Sequence, residues 1–453
     1  MNINPNLSRR SFLTLSGLGL AGASLLTGCS GSGSGSSADT GSASADGKTT
    51  ILFWHSMDGS NGKAITKVVD GYNSQSDTYE VQLKYQGKYD ESTGKFFNMA
   101  GGDGSPAIIQ IGEQNLQSMI DSQLIADVSA LIKDCDFDDS DLIEQAVNFY
   151  TVDDALRAMP FNCSSPVVYY NKDVLAKAGY TEFPQTFEEL ATAADAIAKA
   201  DSSLKPVGMY AYGYALDQMA TNMGGYVVNN KNGRSKRATK IAYEEQMTDI
   251  FNWVADLVKK DQLVNYGTDS NNTVSGFSQK QCALFISTSA LARSIIDSCD
   301  FEVGISPLPV KQGEEAMGVY AGGGALCIAD GLSDEVKKGV MDFCAYATSA
   351  EVQATWAGDT GYYPICNAAY NTDAMKKAYE EYPQLEVSAD QLCGSKVNDV
   401  TAGPLCSQLP QLRTDLQTAL ESVFNGGSVK DALKTAMDST NSAIESANAG
   451  VAE

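Results

Sequence analysis

The stretch TTILFWHSM at residues 49–57 is the natural starting point, because its first six residues form an apolar, β-rich run of strand length. Apolar residues with helical spacing follow at 63–72, and strand-like runs recur at 80–85 and 106–111. Strands that alternate with helices are typical of a sheet whose strands run mostly parallel. The sequence therefore predicts an α/β protein.

The ends of these strands are the predicted place for a ligand, because ligands of open α/β sheets bind outside the carboxyl ends of the strands. Here that rule points to residues 54–56, to 86–89 and to Glu113. The single histidine, His55, lies at the first of these ends beside a tryptophan, and we interpret it as a packing or hinge residue.

The rest of the chain continues the mixture of strands and helices. Thr186 and Glu189 have the spacing of a capping box, which predicts a helix that runs to Ala200. Further strands are predicted at 166–170, 282–286 and 322–328, and further helices at 244–259, 333–347, 415–424 and 429–447.

Composition narrows the class of protein. The chain has 453 residues, of which 43% are hydrophobic, and this excludes a wholly disordered chain and a polytopic membrane protein. Its 32 Lys and Arg against 56 Asp and Glu give a formal charge of −24, which argues against nucleic acid as a partner. One histidine removes most metal and catalytic-triad chemistry, so we expect no metal and no cofactor.

Residues 1–28 are interpreted as an export signal and are left out of the fold prediction. Residues 8–13, SRRSFL, resemble a twin-arginine signal, and the apolar run at 12–26 is too short to span a bilayer. The sequence Leu-Thr-Gly-Cys that ends at Cys29 is similar to a bacterial lipobox, which makes Cys29 the predicted site of lipid attachment. Small residues over 29–48 predict a flexible tether.

Nine cysteines follow Cys29, and none has the Cys-x-x-Cys spacing of a metal or redox motif. An odd number leaves at least one thiol unpaired if all the others pair within the chain. We interpret most of them as small buried hydrophobic residues and take Cys393 and Cys406 as the candidate disulfide.

Short motifs also lie in a recognisable order along the chain. They are TILFWHSM at 50–57, YQGKY at 85–89, SPAIIQ at 105–110, PFNCSSPVVYYNKD at 160–173, GYYP at 361–364, LPQLR at 409–413 and LESVF at 420–424. This ordered set resembles the extracellular solute-binding proteins of ABC importers. Within them it is most similar to the glycerol-3-phosphate-binding branch of the maltose-binding-protein group.

The resemblance implies an α/β, two-lobed periplasmic-binding-protein fold of the class II type, with hinge strands between the lobes and a central ligand cleft. By analogy, the first lobe would hold residues 49–165 and 317–362, and the second would hold 166–316 and 363–448. A solute that contacts both lobes only in the closed form would shift the population toward that form.

The resemblance also implies a set of ligand-binding residues, carried across one motif at a time. The matching positions are Tyr89, Glu113, Ser164, Gly323 and Tyr362, together with one of Ser287, Thr288 or Ser289, and with Tyr212 or Tyr214 in place of a cleft tryptophan. Tyrosine rings stack on the C–H faces of sugars, and a carboxylate accepts hydrogen bonds from ligand hydroxyls. These residue types suit a polyol or a sugar.

One departure from the branch concerns charge. The phosphate-facing arginine of the branch aligns here with Leu405, while Arg413 matches a different position, which we place on a helix surface. A guanidinium binds phosphate through two hydrogen bonds, and a leucine side chain cannot. We therefore expect an uncharged sugar or a glycerophosphodiester, rather than the dianion of glycerol-3-phosphate.

The predicted function is that of a lipid-anchored, monomeric binding protein on the extracytoplasmic face of the cell membrane, with no catalytic residues. Its partners would be the permease subunits of an importer with their ATPase, and a small sugar, polyol or glycerophospho solute. It would contact the membrane through its lipid anchor only. Two alternatives stay open: an exported carbohydrate-active enzyme that uses paired carboxylates, and a ligand-sensing partner of a membrane receptor.

Overall fold

The computed structural model describes residues 47–450, so the predicted export signal, Cys29 and nearly all of the tether lie outside the described residues. The strands are β1 (Thr49–His55), β2 (Tyr79–Tyr85), β3 (Ile108–Gly112), β4 (Thr151–Val152), β5 (Ala155–Leu156), β6 (Met159–Ser164), β7 (Pro166–Asn171), β8 (Lys205–Met209), β9 (Leu263–Asn265), β10 (Cys282–Thr288), β11 (Val303–Ser306) and β12 (Gly322–Ile328).

Helices pack against the strands of both sheets. They are Gly59–Asn73, Tyr89–Met99, Leu116–Ser122, Val128–Asp134, Glu144–Tyr150, Lys172–Lys177, Phe187–Ala200, Gly213–Asn222, Glu244–Lys259, Ser270–Ser278, Ala292–Ser298, Asp334–Ala347, Ala350–Thr360, Asp373–Glu381, Gln384–Cys393, Leu409–Phe424 and Val429–Asn448, with a kinked turn at Asn229–Asn232 and 3₁₀ turns at Glu113–Asn115, Ser289–Leu291 and Asn367–Asn371. Within residues 47–450, none of these helices is both long enough and apolar enough to cross a membrane.

Two five-stranded sheets organise the described chain. The first has the strand order β2-β1-β3-β12-β6, and the second has the order β11-β7-β10-β8-β9. We call the first sheet and the helices packed on it the first lobe, and the second sheet and its helices the second lobe.

Each sheet combines parallel and antiparallel pairs. In the first sheet β1 is parallel to β2 and β3, whereas β12 is antiparallel to β3 and β6. In the second sheet β8 is parallel to β9 and β10, whereas β7 is antiparallel to β10 and β11. The expectation of mostly parallel strands is therefore wrong, because β12 in the first sheet and β7 in the second run antiparallel to both of their neighbours.

Strand β1 forms the centre of the first lobe, as its apolar sequence predicts. Ile51, Phe53 and Trp54 are buried, and the helices Gly59–Asn73 and Asp334–Ala347 pack against the strand. His55 is buried between the rings of Phe53 and Tyr85, which confirms its interpretation as a packing residue, and burial lowers its pKa.

The predicted capping box is confirmed. The Thr186 hydroxyl accepts a hydrogen bond from the Glu189 backbone N–H, and the Glu189 carboxylate accepts one from the Thr186 N–H. The helix Phe187–Ala200 that follows packs on β8 with its apolar side.

The last two helices include a correction. The C-terminal helix at Val429–Asn448 agrees with its prediction, but the preceding helix begins at Leu409 rather than at residue 415. Pro410 lies in the first turn of this helix. Backbone N–H groups there have no acceptor within the helix, so a proline, which lacks the N–H, is tolerated. Arg413 is therefore part of the helix, one turn from its start.

One of the crossings between the two lobes is very short. Strand β6 ends at Ser164 and β7 begins at Pro166, so that one residue, Ser165, separates the two sheets. The backbone carbonyl of Ser165 accepts a hydrogen bond of 2.9 Å from the N–H of Ser289. This junction brings the ends of β6, β10 and β12 close to one another.

Two arginines also bridge the lobes. They lie in the segment of the chain that connects the second-lobe helices Gly213–Asn222 and Glu244–Lys259. The guanidinium of Arg234 donates to five backbone carbonyls, those of Asn148, Phe149, Thr151, Ala402 and Gly403. Burial lowers the pKa of Arg234 to about 10, which leaves it charged at neutral pH. Arg237 forms a bidentate ion pair with Asp121, at 2.9 and 2.7 Å.

The nine cysteines within residues 47–450 are all free thiols, and six of them are buried, in agreement with the prediction that most are small core residues. The candidate disulfide between Cys393 and Cys406 is wrong. Cys393 is exposed at the end of its helix with its sulfur 3.9 Å from the Tyr370 hydroxyl, whereas Cys406 is buried.

Candidate functional site

A chain of hydrogen bonds at the carboxyl ends of the first-sheet strands positions Tyr89. The backbone N–H of Ser56 donates to the Gln110 side chain, whose amide donates to Asn162, and Asn162 donates in turn to the Tyr89 hydroxyl, each bond being 2.9 Å long. Gln110 and Asn162 are wholly buried. Buried amides of this kind fix the direction of the tyrosine hydroxyl.

Glu113 follows β3 directly and is buried in the contact between the lobes. Its carboxylate lies 2.7 Å from Nη1 of Arg413, which comes from the second-lobe helix Leu409–Phe424. The side chains of Glu113 and Arg413 are only 5% and 11% exposed. Gly213 lets the backbones approach here, since an added Cβ would lie 2.6 Å from the Cβ of Arg413.

Two further groups hold Arg413. Its Nε donates to the carboxylate of Asp217 at 2.8 Å, and its Nη2 donates to the Tyr320 hydroxyl at 3.2 Å. Asp217 is completely buried and also accepts a hydrogen bond of 2.8 Å from the Tyr243 hydroxyl. One cation is thus shared by two carboxylates, one from each lobe.

Burial controls the ionisation of this cluster. It raises the pKa of Glu113 and that of Asp217, while the nearby guanidinium acts in the opposite direction. Burial alone would lower the pKa of Arg413, but Glu113, Tyr320 and Asp217 raise it well above the ordinary value for an arginine. Arg413 is therefore a fixed positive charge.

Tyrosines form the second-lobe side of the site. The rings of Tyr210 and Tyr212 are stacked with their centroids 4.9 Å apart, and Tyr214 meets Tyr212 edge-on at 5.6 Å. The guanidinium of Arg413 lies 4.9 Å from the centroid of the Tyr214 ring, a cation–π distance. The Tyr214 hydroxyl donates to the carbonyl of Ser164 at the lobe crossing, at 2.9 Å.

Tyr362 brings an aromatic ring from the first-lobe side. It follows the helix Ala350–Thr360, stacks on Trp356 at 5.4 Å and directs its hydroxyl toward the sulfur of Met57. Burial raises its pKa to about 12, so the hydroxyl stays a neutral donor.

The structure brings most of the predicted ligand-binding residues into one place. Grouped around Glu113 and Arg413 are Tyr89, Ser164, Tyr212, Tyr214, Gly323 and Tyr362. Ser287 lies one step further out, where its hydroxyl is 3.1 Å from that of Tyr210. The Thr288 hydroxyl caps the following 3₁₀ turn instead, because it accepts a hydrogen bond from the Ala290 N–H.

Gly323 lies where β12 passes β6, and its φ of +84° is unfavourable for any residue with a Cβ. An added Cβ would also collide with the carbonyl oxygen of Asn162. The glycine therefore permits the close approach of the two strands beside the site.

We expect Gly323→Ala to lower the free energy of unfolding by about 1–3 kcal/mol in urea denaturation, because of the strained φ and the clash. Gly94→Ala is the matched control, since Gly94 is exposed within the helix Tyr89–Met99 and an added Cβ meets nothing within 4 Å. There, alanine should raise the stability by up to about 1 kcal/mol. Equal effects at the two positions would contradict this account of Gly323.

Arg413 corrects the prediction about charge. Its side chain is buried between the lobes rather than exposed on a helix surface, so the candidate site does contain an arginine. Leu405 does not take this place. It is buried, and its N–H donates to the carbonyl of Asn232. Asp217 was not anticipated either. Its signal in the sequence is an acid and a neighbouring glutamine between the apolar residues Ala215, Leu216 and Met219 of the helix Gly213–Asn222.

The comparison with known families explains this architecture. Residues 67–386, more than half of the chain, match the family model of the bacterial extracellular solute-binding proteins. The chain belongs to this family. Its predicted fold class, the two-lobed α/β periplasmic-binding-protein fold, is confirmed by the solved structures that it resembles.

Two relatives illustrate the sequence similarity. The sn-glycerol-3-phosphate-binding periplasmic protein UgpB of Yersinia pseudotuberculosis serotype I is 29% identical over 394 residues, which cover 85% of this chain and 90% of the relative. The UgpB protein of Pectobacterium atrosepticum is 29% identical over 424 residues, which cover 90% and 92%.

Two solved structures show the same fold. UgpB from Mycobacterium tuberculosis, in complex with glycerophosphocholine, superposes with a TM-score of 0.75 at 20% identity, covering 87% of this chain and 98% of that protein. The GacH receptor of Streptomyces glaucescens, solved without ligand and with acarbose, gives a TM-score of 0.71 at 19% identity with the same coverage.

Proposed function

We propose that this protein is the extracytoplasmic binding component of an ABC importer, anchored by a lipid on Cys29. It captures a small sugar, polyol or glycerol-phosphate-type solute between its lobes and delivers it to the permease subunits, which act with an ATPase. The protein works as a monomer, contacts the membrane only through its anchor and performs no catalysis. Family membership and the names of its relatives support this proposal.

The observation that supports the proposal most strongly is the ion pair between Glu113 and Arg413. It joins the two lobes inside a site lined by tyrosine rings and places a carboxylate and a guanidinium side by side where the lobes meet. Tyrosine faces suit the C–H surfaces of a polyol, and the charged groups suit its hydroxyls or an attached phosphate.

The proposed ligand-binding residues are those of the sequence analysis, without Thr288, whose hydroxyl caps a turn, and with Arg413 added. They are Tyr89, Glu113, Ser164, Tyr212, Tyr214, Ser287, Gly323, Tyr362 and Arg413. The lobe boundaries given above, 49–165 with 317–362 and 166–316 with 363–448, belong to the same proposal.

Solute binding would then act through closure. A solute held by Glu113 and Tyr89 of the first lobe and by Arg413 of the second gains both sets of contacts only when the lobes are together. Its binding free energy therefore favours the closed form, which is the form a permease would recognise.

Calorimetry and thermal unfolding against a small panel test the proposal. The panel holds maltose, glycerol, sn-glycerol-3-phosphate and glycerophosphocholine, and the mixtures are analysed afterwards for products. We expect at least one compound to bind unchanged and to stabilise the protein, by about 2.7 kcal/mol at a hundredfold excess over Kd. Turnover of a bound compound would instead indicate an enzyme.

The same assays apply to Glu113→Gln. This change keeps the shape of the side chain but removes the charge that ligand hydroxyls would meet, so we expect solute affinity to fall about tenfold. Glu144→Gln is the control, because Glu144 is an exposed first-lobe acid. Unchanged affinity in Glu113→Gln would exclude Glu113 from the ligand-binding residues.

A further inference from the structure

The buried acids of the described chain lie together. The chain has 56 Asp and Glu, yet within residues 47–450 only Glu113 and Asp217 are buried. Both of them contact the same guanidinium, that of Arg413, at 2.7 and 2.8 Å. With both carboxyls ionised, the buried charges around Arg413 sum to one negative charge.

The two carboxylates occupy different sides of Arg413. Glu113 comes from the opposite lobe and approaches Nη1, whereas Asp217 comes from the helix beside Arg413 and binds Nε. Asp217 is completely enclosed, and its second oxygen is occupied by the Tyr243 hydroxyl. It has no route to a solute and acts only through Arg413.

We propose that Asp217 is a positioning and specificity-determining residue that restricts the solute to a polyhydroxylated molecule with no more than one negative charge. The inference rests on the proposed solute-binding function. Asp217 fixes Arg413 by its Nε edge, which directs the two Nη groups toward the first lobe. The negative charge of Asp217 also offsets the positive charge of Arg413. Because Asp217 is fully buried on the side of Arg413 away from the first lobe, no solute can displace it.

The charge balance explains the preference. A phosphomonoester carries close to two negative charges at neutral pH, and a phosphodiester carries one. With Arg413 alone, both would be attracted. With Asp217 and Glu113 present, each added negative charge is repelled within a poorly screened interior, and the dianion is penalised most. A neutral polyol has no net charge to be repelled, so the charge of the enclosed Asp217 should leave its affinity unchanged.

Asp217→Asn is a suitable test, because it is isosteric. The amide oxygen can still accept from Nε of Arg413, and the amide N–H can donate to the Tyr243 oxygen, so that both contacts survive while the charge is lost. We measure Kd by calorimetry at pH 7.5 for sn-glycerol-3-phosphate, glycerophosphocholine and maltose. In the variant the affinity for the phosphomonoester should rise about tenfold relative to that for maltose.

Asp415→Asn is the matched control. Asp415 lies on the same helix as Arg413 but binds the hydroxyl of Thr440, away from the cleft. Its affinity ratios should equal those of the wild type. If Asp217→Asn folds, by its circular dichroism and unfolding transition, but leaves the ratio unchanged, the inference fails while the proposed function stands.

The wild type provides a second test that needs no variant. It should bind glycerophosphocholine or maltose more tightly than the phosphomonoester. The opposite order overturns the role of Asp217, even if Asp217→Asn does not fold. Failure of the wild type to bind any of the three probes would contradict the proposed function itself, together with this inference.

Discussion

Replacing Arg413 by methionine should lower the free energy of unfolding by about 3–5 kcal/mol at pH 7.5, because it leaves two buried carboxylates without their cation. Glu113 and Asp217 are 5% and 0% exposed, so water cannot replace the lost ion pairs. Urea denaturation measures the change, and calorimetry should show that solute binding is also lost.

A pH dependence distinguishes this effect from simple loss of packing. Burial already raises the pKa of both carboxyls, and removing the guanidinium that opposes this effect would raise them further. When the pKa of a carboxyl is higher in the folded protein than in the unfolded chain, the folded protein becomes more stable as the pH falls through the folded pKa. The deficit of Arg413→Met should therefore shrink between pH 7.5 and 5.5.

Arg157→Met is the control for this experiment. Arg157 pairs with Asp127 at 3.5 Å, and both side chains are partly exposed, which makes the pair worth about 1 kcal/mol at most. A similar loss at the two arginines, or a deficit of Arg413→Met that does not depend on pH, would show that the buried carboxylates are not the cause.

The second large effect is expected for Arg234→Met, which should lower the free energy of unfolding by about 3 kcal/mol or more. The guanidinium binds carbonyls at the end of the helix Glu144–Tyr150 and in the segment that contains Ala402 and Gly403. Methionine fills similar space but donates nothing, and each buried carbonyl left without a partner costs about 1–3 kcal/mol.

Lys236→Met is the comparison variant, because Lys236 is exposed two residues away and should change stability by no more than about 0.5 kcal/mol. Arg234→Lys should recover only part of the loss, since an ammonium cannot reach five carbonyls arranged around a planar group. Full recovery by lysine would mean that charge, rather than the guanidinium fork, holds this junction.

Local sequence rules located the first-lobe side of the candidate site. The alternation of strands and helices placed Tyr89 and Glu113 at strand ends, and both lie there in the structure. These predictions succeed because the strand, the turn and the residue that follows it are continuous in the chain, so that one pattern contains all of the information.

The second-lobe side could not be predicted in the same way. Arg413 has the sequence setting of a solvated residue on an amphipathic helix, and its burial depends on Glu113 and Asp217, which are distant in the sequence. The mixed sheets and the free thiols of Cys393 and Cys406 likewise depend on how distant segments meet. Only tertiary packing contains that information.

The single-residue crossing between β6 and β7 has a consequence for the entropy of binding. Pro166 has a fixed φ and restricts Ser165 to extended conformations, so few dihedral angles are free at this point. The lobes can rotate about such a short connection, but they cannot sample many unrelated orientations. Under the proposed function, closing them on a solute would order little chain and leave most of the contact energy for affinity.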